Sequence, residues 1–196
     1  LEAITTGGYN TAVGYQSGDS VTTGNSNVLL GRGTGVAMTT QDEMVLIGND
    51  AGAAINHDDA DGTVAIGYGA GAAITSGIGN VAIGALALDA EDDGDFNTAV
   101  GYQALTDQTG VSGTVANTAI GYFAAKEITT GIKNTMVGAY AGAETLLVDN
   151  TVLFGYNAGG GVMTAGADGT VAVGKDSLGA LTSGGYNTSV GYRSST

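Results

Sequence analysis

Cysteine, proline and tryptophan are absent from this 196-residue chain, and lysine and arginine together supply only 5 residues. Without cysteine there is no disulfide framework, no thiolate metal site and no thiol redox chemistry. Without proline, the glycine-rich composition is not that of collagen or of a proline-rich linker. The net charge of −14 argues against nucleic acid and anionic membranes as partners, because either would need a cationic face on the protein.

Long hydrophobic runs are missing as well. The most apolar stretches, such as Met44 to Gly48, are about five to seven residues long, whereas a membrane-spanning helix needs about 20. No membrane insertion is therefore expected, and no secretory signal is visible at Leu1. The chain starts without methionine and stops at Thr196 inside a repeat, so we expect residues 1–196 to be a single repeat domain from a longer fibrous protein.

Glycine is abundant, with 36 residues, and part of it marks a repeat. One glycine follows a short apolar segment at intervals of 17 residues, lengthened to 19 or 20 at every third interval. We number the coils 1 to 11 by the glycine that ends each, and count other positions from it. The repeated glycines are Gly14, Gly31, Gly48, Gly67, Gly84, Gly101, Gly121, Gly138, Gly155, Gly174 and Gly191. This period predicts an all-β fold, a parallel β-solenoid of about eleven coils of 17–20 residues.

The residues before each repeated glycine alternate as a strand does. Position −1 is always bulky and apolar, from Val13 to Val190, and position −3 is always Val or Thr, so we expect position −1 to form a core column. Position −2 faces the opposite way and is apolar in ten coils of eleven, although a half-exposed strand should be polar there. A coil this short encloses one thin core, so the second apolar face predicts packing against a neighbouring chain.

Two further columns support stacking. Asparagine occupies position −4 in seven coils, namely Asn10, Asn27, Asn80, Asn97, Asn117, Asn134 and Asn187, and stacking would place these amides in a ladder at roughly 4.8 Å spacing. Position +3 is small in every coil, which fits a tight corner. The repeated glycine itself is expected where φ is positive, or where another backbone approaches closely.

Several segments share one pattern: GYNTAVGYQ (Gly8 to Gln16), NVAIGALAL (Asn80 to Leu88), FNTAVGYQAL (Phe96 to Leu105), ANTAIGYFAA (Ala116 to Ala125) and GYNTSVGYR (Gly185 to Arg193). They resemble the head repeats of trimeric autotransporter adhesins and, more closely, the related NTA(V/I)GY repeats of phage tail fibres and other virion appendages. The resemblance covers nearly the whole chain. It implies a left-handed parallel β-roll assembled as a homotrimer, usually with a role in attachment to a host surface. The coils here are longer than those of the adhesin heads, so they need an additional corner or loop.

The sharpest local motif is acidic and contains Asp89, Glu91, Asp93 and Asp95. Alternate carboxylates with a glycine at position 94 imitate the opening of a calcium-binding loop, which predicts a structural calcium site. No glutamate follows at the twelfth position of that motif, where Val100 stands. A solvated acidic loop is the favoured interpretation.

A second acidic segment, with His57, Asp58, Asp59 and Asp61, lies in one of the long coils. Insertions that recur every third coil should protrude from one side of the rod about 14 Å apart, where loops carry recognition, so we expect this segment to face a receptor. Corner geometry without any ligand is the alternative.

Tyrosine follows the repeated glycine in six coils, at Tyr15, Tyr68, Tyr102, Tyr122, Tyr156 and Tyr192. An aromatic column of this kind can stack on sugar rings, or it can pack over a corner or across an oligomer seam. Packing is the favoured interpretation.

Catalysis has little support, because His57 is the only histidine and no serine has a base at a recognisable spacing. We therefore expect a non-enzymatic, homotrimeric structural segment of a phage tail fibre or other virion appendage. It would lie at the virion surface, contribute to attachment to a host glycan or protein, and need no cofactor; any calcium bound by the acidic motif would be structural.

Three other functions stay open. The head of a bacterial trimeric adhesin at the cell surface is the nearest. An ice- or mineral-binding solenoid is another, although threonine occupies position −3 in only five coils. A polysaccharide-degrading tailspike is the enzyme alternative, and it would need paired carboxylates along a groove, whereas the acids here lie in loops.

Overall fold

A computed structural model describes residues 1–109 and 111–195 of the chain. The strands are β1 (Thr11–Val13), β2 (Val28–Leu30), β3 (Val45–Ile47), β4 (Val64–Ile66), β5 (Val81–Ile83), β6 (Gly94–Asp95), β7 (Thr98–Val100), β8 (Gly113–Thr114), β9 (Thr118–Ile120), β10 (Thr135–Val137), β11 (Val152–Phe154), β12 (Val171–Val173) and β13 (Thr188–Val190). Two short 3-10 turns, Asp58–Ala60 and Ala165–Ala167, lie in the long coils 4 and 10. Within the described ranges no residue is α-helical.

One strand from each coil joins a single parallel sheet of 11 strands, in the order β1-β2-β3-β4-β5-β7-β9-β10-β11-β12-β13. Equivalent residues of successive coils are paired, so that Ala82 lies opposite Ala99 and Ala99 opposite Ala119. The short strands β6 and β8 form a separate parallel pair. The parallel β-solenoid predicted from the glycine spacing is thereby confirmed, whereas its left-handedness and its trimeric assembly stay predictions.

The interior of the solenoid is lined by position −2 of the strands. From coil 2 to coil 10 this residue is fully buried, as at Leu29 and Ala82. Position −1 points outward instead, and the Phe154 side chain at that position is 53% exposed. The prediction that position −1 forms the core column is therefore wrong, and the two strand faces are exchanged. Residues two apart on a strand face the same way, so position −2 points inward together with the buried asparagines of position −4.

Each interior layer consists of three residues: position −2 and the fourth and seventh residues after the preceding repeated glycine. Within a layer, a large side chain at one position is matched by a small residue at another. In coil 3 the layer holds Met38 and Leu46, and its third member is Gly35, where an added Cβ would lie 3.0 Å from a Leu46 methyl group. In coil 6 the order is reversed, since Ala99 lies at position −2 and Leu88 takes the place of the glycine. The core is thus filled by complementary volumes rather than by one repeated residue.

The repeated glycines form a column in which each backbone lies against the next. At Gly138, φ is +134°, and an added Cβ would lie 2.5 Å from the carbonyl oxygen of Gly155 in the following coil. Both predicted reasons for glycine at this position are confirmed, because the backbone conformation and the close approach each exclude a side chain.

Other corners hold residues with side chains in the left-handed conformation. At the second residue after the repeated glycine, Leu86, Phe123 and Tyr140 have φ of 56°, 57° and 60°. Single residues of this kind are uncommon outside glycine, because Cβ crowds the carbonyl oxygen. Their regular placement shows that stacking imposes the corner geometry on whichever residue occupies it.

The asparagine ladder at position −4 is confirmed as a stack, but its bonds go to the backbone. Oδ1 of Asn10 accepts the backbone N–H of Asn27 at 3.0 Å, and Oδ1 of Asn27 accepts the N–H of Met44 at 2.9 Å. The amide nitrogen of Asn27 donates to the carbonyl of Gln41 at 2.8 Å. Asn27, Asn117 and Asn134 each satisfy one backbone donor and one backbone acceptor of the next coil in this way, which fixes the register of the stack.

Candidate functional site

The outward side of the parallel sheet is an apolar strip, which we call the outer face. It comprises positions −1 and −3 of all coils: Thr11, Val13, Val28, Leu30, Val45, Ile47, Val64, Ile66, Val81, Ile83, Thr98, Val100, Thr118, Ile120, Thr135, Val137, Val152, Phe154, Val171, Val173, Thr188 and Val190. None of these side chains is charged, and all are partly or fully exposed in the single chain. An uncharged strip that runs the length of a rod is unusual for the surface of a soluble monomer.

Beside the outer face, coils 7 to 10 carry a contiguous set of rings, which we call the aromatic ladder: Tyr102, Tyr122, Phe123, Tyr140 and Tyr156. Tyr102 stacks on Tyr122 with ring centroids 5.6 Å apart and an interplanar angle of 14°. Tyr122 meets Tyr140 edge-on at 5.3 Å, and Tyr140 meets Tyr156 edge-on at 5.9 Å. The rings therefore pack mainly on one another along the rod axis.

The predicted receptor-facing segment forms an exposed turn in coil 4. His57, Asp58, Asp59 and Asp61 are all exposed, and the 3-10 turn Asp58–Ala60 is capped by Nδ1 of His57, which accepts the backbone N–H of Asp59 at 3.3 Å. Asp61 has a second role, because its Oδ1 accepts the backbone N–H of Asp42 in the preceding coil at 2.8 Å. Burial and the neighbouring acids raise the pKa of the Asp61 carboxyl. Whether this segment meets a receptor stays a prediction.

The predicted calcium ligands come together only in part. Glu91 and Asp93 form a group with Asp92, in which one oxygen from each lies within 4.8 Å of the others. Among the described residues, Asp89 and Asp95 do not belong to this group. Oδ1 of Asp95 instead accepts the backbone N–H of Ile78 at 2.9 Å. The calcium site stays a prediction, and the geometry gives Glu91 another task.

Glu91 caps backbone donors inside the solenoid. Its Oε1 accepts the N–H groups of Asp92, Asp93 and Gly94 at 3.1, 3.3 and 2.9 Å. In the regular coil 2 the equivalent N–H groups of Thr22 and Thr23 both donate to the carbonyl of Thr39 in the next coil. Coil 6 is followed by a long coil, and the Glu91 side chain takes the place of that carbonyl.

The same replacement occurs in coil 3, which also precedes a long coil. There Oε1 of Gln41 accepts the N–H groups of Thr39 and Thr40 at 2.7 and 3.2 Å. Coil 9 is the third coil that precedes a long one. It needs no such cap at Leu146, because the N–H of Leu146 donates to the carbonyl of Met163 at 3.1 Å. A buried Gln or Glu thus compensates for an insertion in the next coil, because buried N–H groups need an acceptor.

Glu91 is a carboxylic acid in a column that is otherwise largely apolar. The equivalent residues seven positions after the repeated glycine include Val21, Met38, Ile74 and Ile128, all buried. Burial raises the pKa of the Glu91 carboxyl, against the opposing effect of the three N–H donors. Its Oε2 has no hydrogen-bond partner among the described residues. Ionisation of Glu91 therefore lowers stability relative to the protonated acid.

This arrangement predicts a defined pH dependence for E91Q. Because the folded-state pKa is raised, the contribution of Glu91 is full below its unfolded pKa and is lost as the pH rises through the folded-state pKa. We expect the urea midpoint of the wild type to fall relative to that of E91Q as the pH rises above about 4.3, the ordinary pKa of a glutamate. The variant Q41E makes the opposite change, since it places a carboxylic acid at the cap of coil 3, and its urea midpoint should acquire the same pH dependence. Midpoints of wild type and E91Q that change in parallel over this range would contradict the prediction.

Sequence reasoning missed a second ladder at position −6. Asn25 Oδ1 accepts the N–H of Gly8 at 2.9 Å, and Asp42 Oδ1 accepts the N–H of Asn25. Asp149 Oδ1 likewise accepts the N–H of Ile132 at 2.9 Å, and Asp168 Oδ1 that of Asp149. The signal was present, since Asn or Asp recurs at this position with the period of the coil. Part of the acidic character of the chain therefore has a structural cause.

No pocket opens within residues 1–109 and 111–195. No helix in this part of the chain is both long and apolar enough to cross a membrane. Comparisons with protein-family models, with curated proteins and with solved structures find nothing that matches this chain.

Proposed function

We propose that this chain is a structural segment of a phage tail fibre or other virion appendage, that it assembles as a homotrimer, and that it contributes to attachment to a host surface. The continuous stack of eleven coils supports a load-bearing role, because the strand of every coil is paired with that of the next, and asparagine or aspartate side chains add bonds between several successive coils. Such a stack is a rod, on the order of 50 Å long at a rise of about 4.8 Å per coil.

The observation that carries this proposal is the outer face. A chain with a net charge of −14 would be expected to cover an exposed sheet with acidic side chains, yet this strip contains none. Apolar strips of this length are covered in stable assemblies. A second and a third copy of the same chain fit the strip, because each copy offers the same straight, uncharged ladder with the same spacing.

Attachment is assigned to the side of the rod that does not face other copies. The exposed turn from His57 to Asp61 lies in an insertion and carries charged side chains available to a host glycan or protein. Loops on a rigid scaffold are the usual carriers of recognition.

The mass of the native assembly tests the proposal. Light scattering during size-exclusion chromatography is expected to give three times the chain mass of 19.1 kDa. A mass of 19.1 kDa, unchanged over a hundredfold range of concentration, would remove the main support for the trimer and with it the fibre assignment.

A further inference from the structure

The outer face alone is narrow for a stable interface. Eleven strands at about 4.8 Å spacing make it roughly 50 Å long, and the width of two alternating side chains is about 10 Å, so the strip offers on the order of 500 Å². Stable interfaces usually bury about 800 Å² on each partner. A second copy that covers the outer face must therefore also contact a bordering row of side chains.

The aromatic ladder forms such a row. Tyr102, Tyr122 and Tyr156 each follow a repeated glycine and so stand two residues after an outward side chain of position −1. They are between 44% and 51% exposed although their rings contact one another. Ile120 and Phe154, among the most exposed members of the outer face, lie in the same coils. Tyr102, Tyr122 and Tyr156 thus border the outer face, separated from it along the chain by the repeated glycine alone.

The ring geometry decides which partner fits. A sugar ring stacks on the open face of an aromatic ring, but the rings of Tyr102 and Tyr122 cover each other at an interplanar angle of 14°. Tyr140 meets both Tyr122 and Tyr156 edge-on, and aliphatic or aromatic protein side chains pack well against such an arrangement of rings. The ladder rings themselves carry no charge, so two acidic chains can approach there without placing like charges in contact.

We propose that the aromatic ladder contacts a second copy of this chain and forms the seam that borders the outer face. This inference rests on the proposed function, because it extends the same interface. The ladder then has a packing role between copies, and the two edge-on contacts of Tyr140, with Tyr122 and with Tyr156, set the ring positions before the copies meet.

Sedimentation velocity over a concentration series tests the seam. The double substitution Tyr122→Ser and Tyr156→Ser is expected to raise the concentration at which the assembly dissociates at least tenfold. The double substitution Tyr122→Phe and Tyr156→Phe, which keeps the rings, should leave it near the wild-type value. The matched control is Tyr9→Ser with Tyr186→Ser, at tyrosines that are 94% and 88% exposed, and it should have no effect.

Tyrosine nitration of the wild-type assembly provides a readout that does not depend on the folding of a variant. Tyr122 and Tyr156 should be protected from tetranitromethane, whereas Tyr9 and Tyr186 should react. If the serine variant associates like the wild type and the ladder tyrosines react freely, while I83D separates the copies, the seam is overturned and the trimer stands. Loss of glycan binding in the serine variant with unchanged association would assign the ladder to a sugar instead. A wild-type chain that sediments as a single copy overturns both proposals.

Discussion

Replacing Gly138 with alanine is expected to lower the free energy of unfolding by about 3 kcal/mol or more. Two effects add at this position. The φ of +134° is accessible almost only to glycine, and the new Cβ would meet the carbonyl of Gly155 at 2.5 Å. Neither the backbone nor the next coil can move without breaking strand hydrogen bonds. Urea unfolding followed by circular dichroism at the strand band measures the loss.

Gly191 provides the matched control. Its φ of +132° is nearly the same, but an added Cβ would meet only a Ser194 carbon at 3.8 Å, because no coil lies against it within the described residues. G191A should therefore show the backbone cost alone, about 1–3 kcal/mol, without the cost of crowding. Equal losses in G138A and G191A would show that stacking of the glycine column contributes nothing to the effect.

The second large effect is expected at two adjacent residues of β5. Ala82 is fully buried, so Ala82→Asp places an unpaired carboxylate in the interior and should cost about 4 kcal/mol or more. Ile83 belongs to the outer face, so Ile83→Asp should change the stability of a single chain by less than about 1 kcal/mol. In the proposed trimer, Ile83→Asp should instead separate the copies, because the charge would be buried between them.

Circular dichroism and light scattering distinguish these outcomes. Ala82→Asp should lose the strand signal, whereas Ile83→Asp should keep it and elute with the mass of one chain. If Ile83→Asp unfolds the chain and Ala82→Asp does not, the assignment of the inner and outer faces is wrong.

The repeat and the register could be predicted from the sequence because both follow from periods. A glycine at nearly constant spacing, with Asn and small residues at fixed distances from it, requires equivalent residues to stack, and the sheet from β1 to β13 does so. The geometry of the corner at the repeated glycine could be predicted in the same way, since this corner recurs in every coil.

Which face points inward was not predicted, because two adjacent apolar columns alternate and the period alone does not distinguish them. Residue size favoured position −1, where Ile, Val and Phe stand. The buried asparagine determines which face points inward. Asn80 and Ala82 are two residues apart, so both side chains lie on the same, buried face. The hydrogen bonds of the asparagine amide thus outweigh the hydrophobicity of position −1, because an amide that bonds the next coil must point into the stack.

The role of Glu91 was also beyond local reasoning. Its spacing to Asp89 and Asp93 imitates a calcium loop, but the need for an internal acceptor arises from the insertion in the following coil. That insertion lies more than ten residues further along the chain, and only the stacked structure shows which N–H groups it leaves without a carbonyl. Gln41 shows the same relation, since it too precedes a long coil, whereas in coil 9 the N–H of Leu146 reaches a carbonyl of the next coil.

The corners that hold side chains in the left-handed conformation have a mechanical consequence. Among the described residues, 22 other than glycine have positive φ. Each costs about 1 kcal/mol relative to the right-handed form, and contact with adjacent coils offsets that cost. A coil pulled away from its neighbours has no stable shape to relax into. Under tension the solenoid should therefore keep its length up to a threshold force and then fracture, like a brittle material rather than an elastic one.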